Sequence, residues 1–415
     1  MPRAIHVVGA GLAGLAAAVR LAGRGAEVVL HEAAGHAGGR CRSYHDQVLD
    51  AVIDNGNHLL LSANYAALAY VAVIGASARL AGPAHAEFPF VDVASGKRWT
   101  LRINDGMLPW WVFDRSRRVP GTRASDYLSI ARLLLLGSAQ KTVCALVHCA
   151  GPVYERLARP FWLAALNTDP KEASARLARA VTRETLGRGG RACRPLFAPD
   201  GLEGAFVEPA LSYLRAHGVS VQLGNRLRGI GFERDRLRSL DFGDEQVPIG
   251  EGDGVILAVP PTVAADLVPG LTTPGEFRAI VNAHFRVDPP AGLPPVTGIV
   301  NGTIEWLFAY RHRLSVTISC ADRWLDTPRE ALAEKIWNEV AAVAGLPAVM
   351  PPWQIVRERR ATFAATPAED AKRPGAATRW RNLFLAGDWT NTGLPATIEG
   401  AVRSGNRAAD LVYRL

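Results

Sequence analysis

Near the amino end, Gly9-Ala10-Gly11-Leu12-Ala13-Gly14 sets three glycines at the spacing that lets a polypeptide hold a pyrophosphate. The first glycine permits a tight turn, the second lets phosphate approach the main chain, and the third lets a helix pack closely on a strand. The apolar run Ile5–Val8 before them reads as a buried parallel strand, and the small-residue stretch after them as a helix ending at Gly25. The free N–H groups that open such a helix favour an anion. A second strand, Glu27–His31, closes on Glu32 and Ala33, which places the Glu32 carboxylate to accept hydrogen bonds from ribose hydroxyls. A glycine-rich turn without a ligand requires neither the strand, the helix nor the acid. Together they predict a bound dinucleotide.

Two further motifs refine that chemistry. Gly38-Gly39-Arg40 follows shortly after Glu32, where the arginine can neutralise pyrophosphate charge and the glycines admit the chain beside a cofactor. Near the carboxyl end, "NLFLAGDW" reads as a strand ending at Gly387-Asp388, whose carboxylate is suited to a ribityl chain. Pro395 is then expected at the first position of a helix, the place where proline is favoured. The N–H groups near Ala396, Thr397 and Ile398 would stabilise negative charge on the pyrimidine side of a reduced flavin. Ala401, Gly405 and Ala408 give that helix a narrow face for close packing.

The elements that position these residues are spread along a long chain. At 415 residues it exceeds a single comfortable core, so two domains are expected. An apolar share of 48% with 21% charged residues excludes disorder. The net charge of +8 points to an anionic partner, and without an arginine-rich arm or zinc-finger spacing a membrane surface is preferred to nucleic acid. Five cysteines without C-x-x-C spacing predict neither a disulfide framework nor a metal site, and a reducing compartment. No signal peptide is expected, and the most apolar stretch, from Leu128, is broken by Arg132, Gln140 and Lys141 before it could span a bilayer.

Residues 1–63, 197–261 and 377–415 are expected to form one discontinuous nucleotide-binding domain. Within it "AFVEPALSYLRAHGVSVQL" reads as a helix closed by Gly218 and then a strand, "DRLRSLDFGDEQVPI" as short antiparallel strands, and "GVILAVPP" as a buried strand. Residues 64–196 and 262–376 would form a substrate domain, with a helical region at Ser125–Thr185 and strands at Ala279–Val287, Thr297–Val300 and Leu314–Ser319. Asp169, Pro170 and Glu172 read as the N-cap, first and third positions of a helix.

These motifs, "GAGLAGLAAAVRL…HEA", "GGRCRS", "VILAVPP" and "LAGDW…TIEGAVRSG", resemble the FAD-dependent amine oxidase and phytoene desaturase superfamily. The resemblance implies an α/β fold: an FAD-binding Rossmann-like domain of the glutathione-reductase kind, plus an α+β substrate domain with a mixed sheet and helical cap. Leu227, Gly56 and Asn57 join the implied cofactor contacts. "DNGNHLLLSANYAAL", "LARPFWLAALNTDPKEASA" and "GDWTNTGLPATIEGAVRSG" resemble one branch, the hydroxysqualene dehydroxylases. In that branch glutamine is expected where Asn57 stands, and again where Glu305 stands.

The implied reaction is reductive loss of an allylic hydroxyl, giving squalene. Hydroxide leaves poorly, so an acid is needed, and His58 is the candidate, with Asp54 as a structural or orienting carboxylate. In the alternative, His58 only hydrogen-bonds the backbone or the flavin. Trp306 and Phe308, then Trp162 and Trp389, are candidate aromatic faces for a developing allylic cation. "LPWWVFDRSRR", with Trp110 and Trp111, is the candidate membrane dock. The implied location is the cytoplasm, peripheral on the inner face of the cytoplasmic membrane, with the synthases that supply hydroxysqualene as candidate partners. A desaturase or amine oxidase running the flavin oxidatively, and a prenyl-lipid escort protein without flavin chemistry, are the rival readings.

Overall fold

The computed structural model describes residues 4–136 and 138–415. Ala4–Val8 forms the centre of a five-stranded parallel sheet in the order Leu383–Leu385, Gly254–Leu257, Ala4–Val8, Glu27–His31, Ser220–Gln222. Strands from the beginning, middle and end of the chain thus share one sheet. Their apolar residues are buried as in a sheet covered on both faces. The helices Leu12–Ala22 and Ile398–Val412 pack on each other, and Arg20 and Arg24 both pair with Asp410 at 2.8 and 2.7 Å. The contact is close because Gly405 lies directly against the Ala13 and Ala17 backbone.

The second layer is a seven-stranded mixed sheet in the order Trp353–Phe363, Phe277–Arg286, Arg313–Ile318, Trp306–Tyr310, Val296–Val300, Ala86–Asp92, Arg98–Ile103. Its pairs are antiparallel except Val296–Val300 with Ala86–Asp92. Alternate residues Leu314, Val316 and Ile318 bury against the helix Arg329–Ala344. The other face presents Asn282, Thr317, Phe308 and Tyr310 toward the segment that carries Asn57. Short antiparallel strands at Gly229–Glu233, Arg236–Asp241 and Gln246–Pro248 form a separate sheet, as expected.

Three expectations are corrected, and the packing beyond residue 63 is described with them. The helix expected from Asp169 begins at Ala175, capped by Ser174, whose hydroxyl accepts the Leu177 N–H; Asp169 instead turns back on the Lys171 N–H at 2.9 Å. Pro395 precedes the last helix, which begins at Ile398 with Thr397 as its cap, the hydroxyl taking the Gly400 N–H at 3.0 Å. The helix Tyr65–Val73 lies beyond the expected boundary at 63 yet shares the core of the parallel sheet, because the buried Glu399 carboxylate accepts the Ala66 and Ala67 N–H groups at 3.1 and 2.8 Å. Cys144 and Cys149 form a disulfide, whereas none was expected. Their spacing is not C-x-x-C, yet the chain brings their Cα atoms to 5.4 Å, within bonding reach.

Candidate active site

All five strands of the parallel sheet run the same way, so the turns at their carboxyl ends line one edge. Val8 aligns with Leu257 and Leu257 with Leu385. Two strand spacings separate the turn at Gly9 from that at Gly387, roughly 10 Å. One dinucleotide easily bridges that gap.

Each glycine of the first turn has its own duty. Gly9 adopts φ +105°, and a Cβ there would strike the Ala258 carbonyl at 2.5 Å. A Cβ on Gly14 would strike the Gly9 carbonyl, so this glycine sets the strand–helix approach. Gly11 differs, since a Cβ there meets no heavy atom within 4 Å. Its main chain therefore borders open space at a helix start, and a Cβ on Gly39 would come within 3.3 Å of the Gly11 Cα. Gly38 bridges back, its N–H donating to the Ala10 carbonyl at 2.8 Å.

Glu32 is held in place by the backbone: Oε2 accepts the Ala10 N–H at 2.7 Å and Oε1 the Ala34 N–H at 2.8 Å. Asn225 donates its N–H to the Glu32 carbonyl, bringing Leu227 beside this corner, while Ala33 stays exposed. Arg40 and Asp388, 348 residues apart, meet in a two-pronged ion pair at 2.8 and 2.7 Å. Arg40 also donates to the Ala361 carbonyl of the mixed sheet. The Asp388 charge raises the Arg40 pKa, so the guanidinium stays charged. Asp388 is buried, but 46% of the Arg40 side chain remains uncovered and available to a phosphate. Thr397 caps the last helix beside this pair, leaving the helix-opening N–H groups of Ile398 and Glu399 without acceptors among the described residues.

The segment from Asp54 to His58 is clamped onto the mixed sheet. The Asn57 amide donates to the Val316 carbonyl at 3.1 Å and the Thr317 hydroxyl at 3.2 Å, and Tyr310 donates its hydroxyl to the Asn57 carbonyl oxygen at 3.4 Å. Gly56 lies against Asn282 and His58. His58 Nδ1 donates to the Gly56 carbonyl at 2.9 Å, which fixes the ring and leaves Nε2 without a hydrogen-bond partner among the described residues. Burial lowers its pKa from 6.5, so the neutral ring dominates near pH 7. Asp54 accepts the Ser43 hydroxyl at 2.6 Å and the Leu202 N–H at 2.9 Å, so His58 is oriented by Gly56 and Asp54 anchors the surrounding loops.

The four aromatic candidates divide. Trp306 packs on Phe90 at 5.9 Å, and its buried indole N–H has no partner among the described residues. Phe308 stacks on Tyr310 at 6.3 Å. Trp162, by contrast, donates to the Thr182 hydroxyl at 3.0 Å inside the helical region, and Trp389 donates to the Val259 carbonyl at 3.0 Å while covering Gly387. Both hold the protein together.

Sequence reasoning missed Arg373. Its buried guanidinium donates to the backbone carbonyls of Asp388, Trp389 and Thr390, the first two at 3.1 and 3.3 Å, and pairs with Asp370 at 3.1 Å. It fixes the loop that presents Asp388. No local pattern marks it, since "AKRPG" reads as a solvated turn. Asn282 and Tyr310 were missed for the same reason: a strand residue's partner across a fold leaves no trace in its neighbours.

The family model for flavin containing amine oxidoreductase matches residues 12–413. The chain belongs to that family. It is an FAD-dependent oxidoreductase, and the open space at Gly11, the ribose acid, the Arg40–Asp388 pair and the free helix start all suit FAD. Glu32 would hold the ribose, Gly11 and Arg40 the pyrophosphate, Asp388 the ribityl chain, and Ile398 the pyrimidine edge. The chain is 58% identical over 413 residues to hydroxysqualene dehydroxylase from Rhodopseudomonas palustris, covering 99% of each. It is 55% identical to hydroxysqualene dehydroxylase from Sinorhizobium fredii, covering 99% of this chain and 98% of that one. The fold matches cyclohexylamine oxidase from Brevibacterium oxydans with a TM-score of 0.72 at 16% identity, covering 100% of this chain and 99% of that one.

Proposed function

We propose that this flavoenzyme removes the allylic hydroxyl of hydroxysqualene reductively, releasing squalene and water. Identity of 58% along nearly the whole length of a relative bearing that activity's name carries the reading. When bound in its reduced state, FAD supplies the hydride for the carbon that loses oxygen. The protein's own part is to hold the hydroxyl and deliver a proton to it. His58 is the catalytic residue we assign to that task, with Nε2 as the proton carrier and Gly56 holding the opposite nitrogen. Burial disfavours its charged form, which makes the imidazolium a strong donor once formed. Trp306, Phe308 and Tyr310 supply aromatic faces for positive charge on the allylic carbons and exclude water from it.

The substrate is thus an isoprenoid lipid, and the enzyme works at a membrane surface, on its cytoplasmic side, beside the synthases that supply hydroxysqualene. The first segment of the discontinuous nucleotide domain extends past residue 63 in this reading to include Tyr65–Val73, which packs with the parallel sheet. Anaerobic mixing of photoreduced protein with hydroxysqualene tests the activity. The expected result is flavin reoxidation matched mole for mole by squalene. Reoxidation without squalene, or turnover confined to amines or phytoene, overturns it.

A further inference from the structure

The segment from Leu108 to Leu136 combines inward anchors with outward apolar residues. Trp111 and Tyr127 meet edge-on at 5.1 Å and are buried with Ile130 and Leu133 in the main core. They root the turn Trp110–Phe113 beside the helix Leu128–Leu136. The residues between these anchors point the other way. Trp110 is 64% exposed, Phe113 65%, Leu128 66% and Leu135 80%. Leu128, Arg132, Leu135 and Leu136 recur at helical spacing on the face opposite Ile130 and Leu133, so this is an apolar stripe with a cation in it. Arg115 and Arg123 are also exposed along the same segment. Among the described residues no helix is long and apolar enough to cross a membrane.

We propose that the outward face of residues 108–136 docks on an anionic lipid bilayer, with Trp110, Phe113, Leu128 and Leu135 entering the interface and Arg115, Arg123 and Arg132 at headgroup level. Water-facing aromatic and leucine side chains interleaved with arginines suit a surface that is apolar below and negatively charged above. A protein partner would have to match the same alternation. The net charge of +8 favours the anionic surface. The inference rests on the proposed function for its meaning, because a substrate dissolved in lipid requires an entry face. It also corrects the simpler expectation of a Trp110-Trp111 dock, since Trp111 faces the core.

The test uses the FAD-loaded full chain sedimented with phosphatidylcholine vesicles with and without phosphatidylglycerol. Trp110→Ser/Phe113→Ser and Leu128→Ser/Leu135→Ser should each weaken binding roughly tenfold or more on both. Arg115→Gln/Arg132→Gln should weaken it about fivefold per arginine, on anionic vesicles only. All three variants should turn over detergent-dispersed hydroxysqualene at the unsubstituted rate. Sedimentation unchanged by the apolar substitutions overturns the proposal. So does a chain that ignores both vesicle types but forms a dimer that those substitutions dissociate. Failure of every variant and the unsubstituted chain to make squalene overturns the proposed function instead, and leaves the vesicle result standing.

Discussion

Gly405→Ala adds one methyl where two helices touch, and its consequence can be worked from the contact. The new carbon would run into the Ala13 carbonyl oxygen, with Ala13 C at 3.0 Å and Ala17 N at 3.1 Å. Ordinary carbon contacts lie at about 3.5–4.0 Å, and the carbonyl oxygen is the tightest of the three, so the helices must part by roughly 1 Å or more. Backbone on the opposing side has no rotamer to yield. The cost therefore belongs at the upper end of overpacking, about 3 kcal/mol. With an unfolding entropy near 2.1 cal/mol/K per residue, a chain of 415 residues would melt about 3 °C lower. The displaced helix carries the Gly11 turn at its start. Losing one charge-assisted hydrogen bond to pyrophosphate, about 1.5–3 kcal/mol, raises the FAD dissociation constant at least about tenfold. Gly204→Ala is the matched control, since a Cβ there meets nothing within 4 Å inside the helix Leu202–Phe206. It should gain about 0.5–1 kcal/mol and leave FAD binding alone. Differential scanning calorimetry and flavin fluorescence titration read both effects. A Gly405→Ala chain that melts and binds FAD like the control refutes the reasoning.

Three further outcomes follow from the site. Burial pushes the Glu305 carboxyl up to about 8, against 4.5 when free, so the folded chain resists an ionisation the unfolded chain completes. Stability should fall as pH rises from about 4.5 to 8, and Glu305→Gln should remove that slope, matching the unsubstituted chain at pH 4 and exceeding it at pH 8 by urea midpoint. Burial makes His58 protonate below the usual 6.5, so turnover by prereduced enzyme should climb as pH falls beneath that value; His58→Gln should be flat and slower by about 10²–10⁴. A flat profile in the unsubstituted chain removes His58 as proton donor. Arg373→Met leaves three carbonyls and Asp370 short of a donor in a buried place, which should cost about 3–5 kcal/mol and release FAD, read from the ratio of flavin to protein absorbance after purification.

Local chemistry makes the coenzyme legible in the sequence itself. Gly9, Gly11, Gly14 and Glu32 work within a single strand–turn–helix–strand unit, so their spacing carries their purpose. Asp388 could be read because its motif pairs with that unit. The structure added what spacing does not encode. Arg40 reaches Asp388 directly, Arg373 ties down the loop behind it, and Asn57 is gripped by three strands of the other layer. The helix start near Asp169 was misjudged because a hydroxyl five residues later competes for the cap, and tertiary pairing of Thr142 with Ser174 decides between them. That the Trp162 and Trp389 N–H groups bond to Thr182 and Val259 is likewise unwritten in their sequence context.

The interlock of Gly405 with Ala13 bears on biogenesis. Its contacts span nearly four hundred positions, as do those of Arg20 with Asp410, 390 apart. A polypeptide emerging from the ribosome has its phosphate turn within moments, yet that turn has no counterpart until the closing helix is made. Coenzyme capture must wait until the helix Ile398–Val412 has been made, and so must the burial of the first helix's alanine-rich flank. Until then the nascent chain carries an uncovered apolar surface, an early customer for chaperones.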